Sequence, residues 1–103
     1  MKIPETIRIN GIDFAIEQTQ NLNDGDHVLY GQVHYGHSTI EINAQYQKHQ
    51  AMCVTLWHEI LHALCKIHSV HLGEHEEAIV DILAYGIYQV LQDNGRELFD
   101  IAD

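Results

Sequence analysis

Two histidines four residues apart, with a glutamate directly after the first, are the groups of this chain best suited to chemistry: His58-Glu59-Ile60-Leu61-His62. In an α-helix, residues i and i+4 differ by about 40° in azimuth, so His58 and His62 leave one face a turn apart and both imidazoles can reach a single ion. Glu59 is turned by about 100° from His58, which suits a water beside the ion better than the ion itself. The spacing predicts a zinc (Zn2+) site with His58 and His62 as ligands and Glu59 as the catalytic base. A metal is favoured over coincidence, even in a chain with nine histidines. A buried helix carrying these three groups without partners would cost about 1–3 kcal/mol for each.

Zinc in hydrolases takes three protein ligands and a water, so a third donor is needed. His68 occupies the last position of H-E-x-x-H-x-x-G-x-x-H. Cys65, however, stands where that pattern has its helix-breaking glycine, and both methionines, Met1 and Met52, lie upstream, which leaves no Met-turn. His68 reads instead as a helix C-terminal histidine, favourable to the macrodipole. His71 and His75 lie in or just after the connection that follows and could swing inward, as the third histidine does in proteins resembling the SprT type. Glu77 opens a second helical pattern, with Asp81 at i+4 on the same face. Glu76 and Glu74 are fallbacks whose i+4 partners, Val80 and Ala78, could support nothing, and both read as first-turn carboxylates at a helix N-terminus.

The elements that must hold these residues are legible from periodicity. Thr6 to Ile9 and Ile12 to Glu17 alternate in twos around Asn10-Gly11, a type I′ hairpin signal. A second extended pair, His27 to Tyr35 and Thr39 to Asn43, flanks Gly36-His37-Ser38. Four short antiparallel strands over about 6–43 are therefore expected. From Ala44 the apolar residues recur at steps of three and four, with Asn43 as the expected N-cap, and predict a helix over about 44–68. A second helix is expected over about 74–94, ending at Asn94-Gly95. Within it, Ala84 and Gly86 would form a small-residue surface for helix packing, and 95–103 would be a loosely held acidic tail. Strands followed by helices predict a single α+β domain over 1–103.

Composition narrows the partners. A formal charge of −10 repels phosphate backbones and anionic headgroups, so neither nucleic acid nor a membrane surface is expected as a partner. No apolar run approaches a membrane span and no signal-peptide pattern opens the chain, which together predict a cytoplasmic protein. Cys53 and Cys65 lie about 18 Å apart along one helix, too far to bridge, and read as core filling.

The order of short strands, His58-Glu-x-x-His62, connection and Glu77-x-x-x-Asp81 resembles a minimal gluzincin, a zincin-like metallopeptidase core. The segments LWHEILHAL (56–64) and EEAIVDILAYGIYQVLQDN (76–94) resemble small phage- or prophage-type zinc-peptidase-like proteins near the ImmA/IrrE group. That resemblance implies Glu77 as the third zinc ligand and Asp81 as the carboxylate that orients a ligand imidazole. Only fourteen residues separate His62 from Glu77, fewer than in the larger gluzincins. The implied activity is a zinc peptidase acting on a protein or peptide substrate, by analogy a repressor, with Glu59 as general base to a zinc-bound water. The alternative from another class is a non-catalytic zincin-like binding module with a structural zinc. Tyr30, Tyr35, Tyr46, Tyr85 and Tyr88 are available as oxyanion donors, each with an ordinary core or rim role beside it. Strand Thr39–Asn43 is the expected edge to which a substrate peptide adds.

Overall fold

The first strand pair follows from alternation. β1 (Thr6–Ile9) and β2 (Ile12–Thr19) pair antiparallel. They join through Asn10 and Gly11, whose φ values of 50° and 84° are those a type I′ turn demands. The computed structural model describes residues 1–99. It continues with β3 (Gly31–His34), β4 (Thr39–Asn43), α1 (His49–Ile67), a 3-10 turn at Gly73–His75 and α2 (Glu76–Phe99). The protein is α+β, a four-stranded sheet followed by two helices.

The sheet is mixed, which corrects the expectation of antiparallel pairing throughout. Its order is β1-β2-β4-β3, and β2 runs parallel to β4. After β2 the chain makes an excursion over residues 20–30, crossed by an Asn23–Val28 bridge. It forms the far edge as β3 and then returns β4 into the gap. The central place suits β4, whose Ile40 and Ile42 are both wholly buried. Asn43 ties the excursion down: its Nδ2 donates to the carbonyls of Leu29 at 2.9 Å and Leu22 at 3.4 Å. The strand expected as an open edge is thus interior, and β3 is the edge instead. The bond from Asn43 N–H to the Tyr30 carbonyl, 2.8 Å, sets the antiparallel parity, so Gly31 and Val33 turn their main-chain groups toward the open side.

The Asn43 Oδ1, the atom that would cap a helix, accepts instead from Gln45 N–H at 2.9 Å in a turn that no helix continues. α1 begins at His49 rather than at Ala44, with Lys48 as an N-cap that makes no side-chain bond. Gln47 holds the approach, donating to the carbonyls of Tyr30 and Asn43 at 3.0 and 2.8 Å and accepting from Thr55 Oγ1 at 2.6 Å. Met52, Leu56, Ile60 and Ala63 of α1 pack against Ile9, Phe14, Ile16, Ile40 and Ile42 of the sheet, the three-and-four spacing of an amphipathic helix. Truncating Leu56 to alanine in this core costs about 2–5 kcal/mol.

α2 lies on α1 and touches no strand, and it buries Val80, Ala84 and Tyr88. Gly86 takes no part in that contact, since a Cβ built on it would meet nothing within 4 Å; the close-packing residue is Ala84 alone. Asn94-Gly95 does not end the helix. Asn94 Nδ2 donates to the Val90 carbonyl at 3.0 Å, Gly95 is not in the positive-φ region, and α2 runs on to Phe99. The supposed tail is therefore helical over 95–99, and its remainder, 100–103, lies outside the described residues. Cys53 is buried, Cys65 half-buried, and both are free thiols. No described helix is long and apolar enough to cross a membrane.

Candidate metal centre

The face of α1 turned away from the sheet carries His58 and His62. Their rings meet edge to face with centroids 4.7 Å apart, and their Nε2 atoms are 3.1 Å apart. α2 starts directly above them. Glu77 sets Oε1 2.6 Å from His62 Nε2 and Oε2 3.3 Å from His58 Nε2. One ligating atom from each of these three residues lies within 4.8 Å of the other two, and among the described residues no other group does so. Asp81, one turn after Glu77, places Oδ1 2.8 Å from His58 Nδ1. Glu76 places Oε2 2.9 Å from His62 Nδ1.

With neutral rings these contacts place the hydrogens outside: an ionised carboxylate only accepts, so each Nδ1 donates, to Asp81 and Glu76 respectively. Both Nε2 atoms of the neutral rings then present lone pairs toward each other and toward the Glu77 carboxylate, in a neighbourhood that also holds the carboxylates of Glu59, Glu76 and Asp81. A shared cation relieves that repulsion, and two neutral imidazoles with one carboxylate are the donor set of a His2Glu zinc site. The residues present fit a zinc ion.

Glu59 sits on the same stretch of α1 but faces differently. It is buried, with Oε2 3.9 Å from His58 Nε2. Burial pushes its carboxyl up from the ordinary 4.5 to about 7, opposed by the attraction of His62 and reinforced by the charge of Glu77. Gly31 of β3 makes room for it. A Cβ at Gly31 would come within 3.0 Å of Glu59 Cγ and 2.6 Å of Thr55 Cγ2, so only glycine lets the edge strand approach this part of α1.

Two cavities of about 820 Å³ each meet at the cluster, and Leu29, Gly31, Glu59, His62 and Glu77 line both. One continues past Tyr35, Cys65, Lys66 and His71. Lys66 lies over the Tyr35 ring at 5.6 Å, and burial, followed by the charges of Glu59 and Glu76, raises the Tyr35 phenol. The other continues past Val28, Tyr30, Tyr46, Val54 and Tyr85. Tyr88 belongs to neither, being buried.

The remaining third-ligand candidates lie away from the cluster. His68 is the exposed C-cap of α1, His71 is exposed on a cavity wall, and exposed His75 stands 3.6 Å from exposed Glu74. Two contributors escaped sequence reasoning. Glu76 reads as a first-turn carboxylate but meets the outer nitrogen of His62; the available signal was that two ligand imidazoles require two such partners and Asp81 can serve only one. Gly31 was passed over, although a glycine inside an extended run marks close backbone approach. Comparison of the chain with protein-family models, with curated proteins and with solved structures finds no match.

Proposed function

We propose that this protein is a zinc-dependent peptidase of minimal gluzincin type, with His58, His62 and Glu77 holding the metal and Glu59 as general base. The observation that carries the reading is the convergence of His58 Nε2, His62 Nε2 and the Glu77 carboxylate, with the outer Nδ1 of each histidine anchored by a carboxylate. Zinc held there would polarise a peptide carbonyl and acidify a water. Glu59, with its carboxyl near 7, is suited to take the proton of an attacking water and pass it to the leaving amine. The open side of β3 can pair an extended peptide through the main chain of Gly31 and Val33, beside Glu59. Such binding tolerates many sequences, and a protein partner such as a repressor would have to present an unfolded segment to it.

A second reading, a zinc-holding module that binds a peptide without cutting it, is favoured by exposed Tyr30, Tyr46 and Tyr85 along one cavity, which would grip a segment whether or not it is cleaved. Glu59→Gln separates the two. The amide is close in shape and cannot accept the proton, so the variant should keep zinc and fold while cleavage of an unstructured test protein such as casein falls by about 10²–10⁴-fold. Wild-type cleavage that survives the substitution removes Glu59 from the mechanism. Peptide binding in both proteins without cleavage in either supports the second reading.

A further inference from the structure

α2 has three flanks, and only two are accounted for. Val80, Ala84 and Tyr88 meet α1, while Glu77, Asp81 and Tyr85 face the cleft. Val90, nine residues after Asp81, is turned about 180° from it. Around Val90 runs a third flank whose hollow of about 400 Å³ is lined entirely by Ile82, Leu83, Gly86, Ile87, Val90 and Leu91. Ile82 is 72% exposed, Val90 53% and Leu83 47%. No charged residue lines the hollow, in a chain of net charge −10. Gly86 lies within it, in a helix interior where glycine is disfavoured, and its own chain gives no reason for it because a Cβ there would meet nothing within 4 Å.

We propose that this flank is a homodimer interface, in which the α2 helices of two copies pack antiparallel about a two-fold axis between Gly86 and Ile87. That register is self-complementary, as a two-fold contact must be. Leu83 faces Val90 of the second copy, Ile87 enters the hollow over its Gly86, and Ile82 and Leu91, about 180° apart on the helix, border the seam on either side. The 24 residues of α2 span about 36 Å. A helix pair of that length with its polar rim hides on the order of 600 Å² per copy, the lower end of specific interfaces. The dimer is therefore reversible and concentration-dependent. Across residues 82–91 no charge meets charge, while at the ends the register brings Glu76 toward Glu97 of the second copy; added salt, which screens that repulsion and the longer-range one between two acidic copies, tightens the pair.

Sedimentation equilibrium on the full chain tests this directly. The wild type should move with concentration from the chain mass of 11.8 kDa toward twice that value, and further at higher salt. Leu83→Glu and Val90→Glu should hold the single-chain mass while helix content and zinc content stay at wild-type levels, since neither position touches α1 or the metal cluster. Gly86→Leu should raise the melting temperature of the single chain and weaken association at least tenfold by filling the hollow. A wild type that keeps the single-chain mass up to millimolar concentration overturns the proposal and leaves the flank to a foreign helix. Charged variants that associate like the wild type overturn it equally.

Discussion

Histidines and carboxylates gather at two places, on opposite faces of the α1–sheet layer, and the two clusters behave differently. On the outer face of the sheet, Glu41 accepts from Thr19 Oγ1 at 2.8 Å and from His34 Nε2, with Glu17 and His37 bordering the same shallow cavity. Every close acceptor there has its donor, and the ligating atoms do not draw together. In the cleft between α1 and α2, the Nδ1 atoms of His58 and His62 each meet a carboxylate on the outside of the cluster, so with neutral rings the donors lie outside and the inside is all acceptor. Residue type is nearly the same in both. What separates them is the direction of the lone pairs, and that is set by Asp81 and Glu76, which do not belong to the converging set.

The largest contrast should come from deleting one histidine in each place. His62→Ala is expected to lower zinc affinity by well over 100-fold, because a ligand atom is lost, whereas His34→Ala should leave about one zinc per chain. Elemental analysis after dialysis, followed by competition with a chromogenic chelator, measures both; equal zinc loss would erase the distinction between the clusters. Next come the orienting carboxylates. Asp81→Ala and Glu76→Ala should each weaken zinc by about 10–100-fold and Glu77→Ala by more than either, while Glu41→Gln has no effect on the same titration. An Asp81→Ala variant with wild-type affinity would show that His58 needs no partner.

A smaller effect is expected in the metal-stripped protein. The folded Glu59 carboxyl titrates near 7 against an ordinary 4.5, so between those values the folded state binds more protons than the unfolded chain. Stability then falls as pH rises from about 4.5 to about 7 and levels off above, by a few kcal/mol at most. Urea midpoints of the chelated protein should show this slope, and Glu59→Gln should flatten it. The outer cluster supplies the smallest change: Glu41→Gln, which weakens two partly buried hydrogen bonds, should cost about 1 kcal/mol in the same experiment.

How much of this a sequence displays depends on the distance over which each feature is decided. That His58 and His62 share a face follows from the helical repeat alone, and the Asn10-Gly11 turn from two adjacent residues. The position of β4 does not. Ile40 and Ile42 state that one face is buried but not which strands lie on either side, and the parallel pairing with β2 is settled by an excursion whose carbonyls Asn43 holds from 14 and 21 residues away. The start of α1 lies later than expected as well, because the Oδ1 of that asparagine closes a turn with Gln45 N–H rather than capping a helix. Glu76 and Glu77 are neighbours with like side chains, separated by about 100° on the helix. Only the docking of α2 on α1 decides which of them meets the inner nitrogens and which the outer one.

That docking has a further consequence. α2 rests on α1 and on nothing in the sheet, so it can open as a unit while the sheet and α1 stay folded. Glu76, Glu77 and Asp81 belong to the part that leaves, and His58 and His62 to the part that remains. An ion held between them is a clasp across the seam between α1 and α2. Amide exchange in α2 would then report metal occupancy: slow with zinc, and after chelation fast from Glu76 onward, with the α1 and β4 amides still protected.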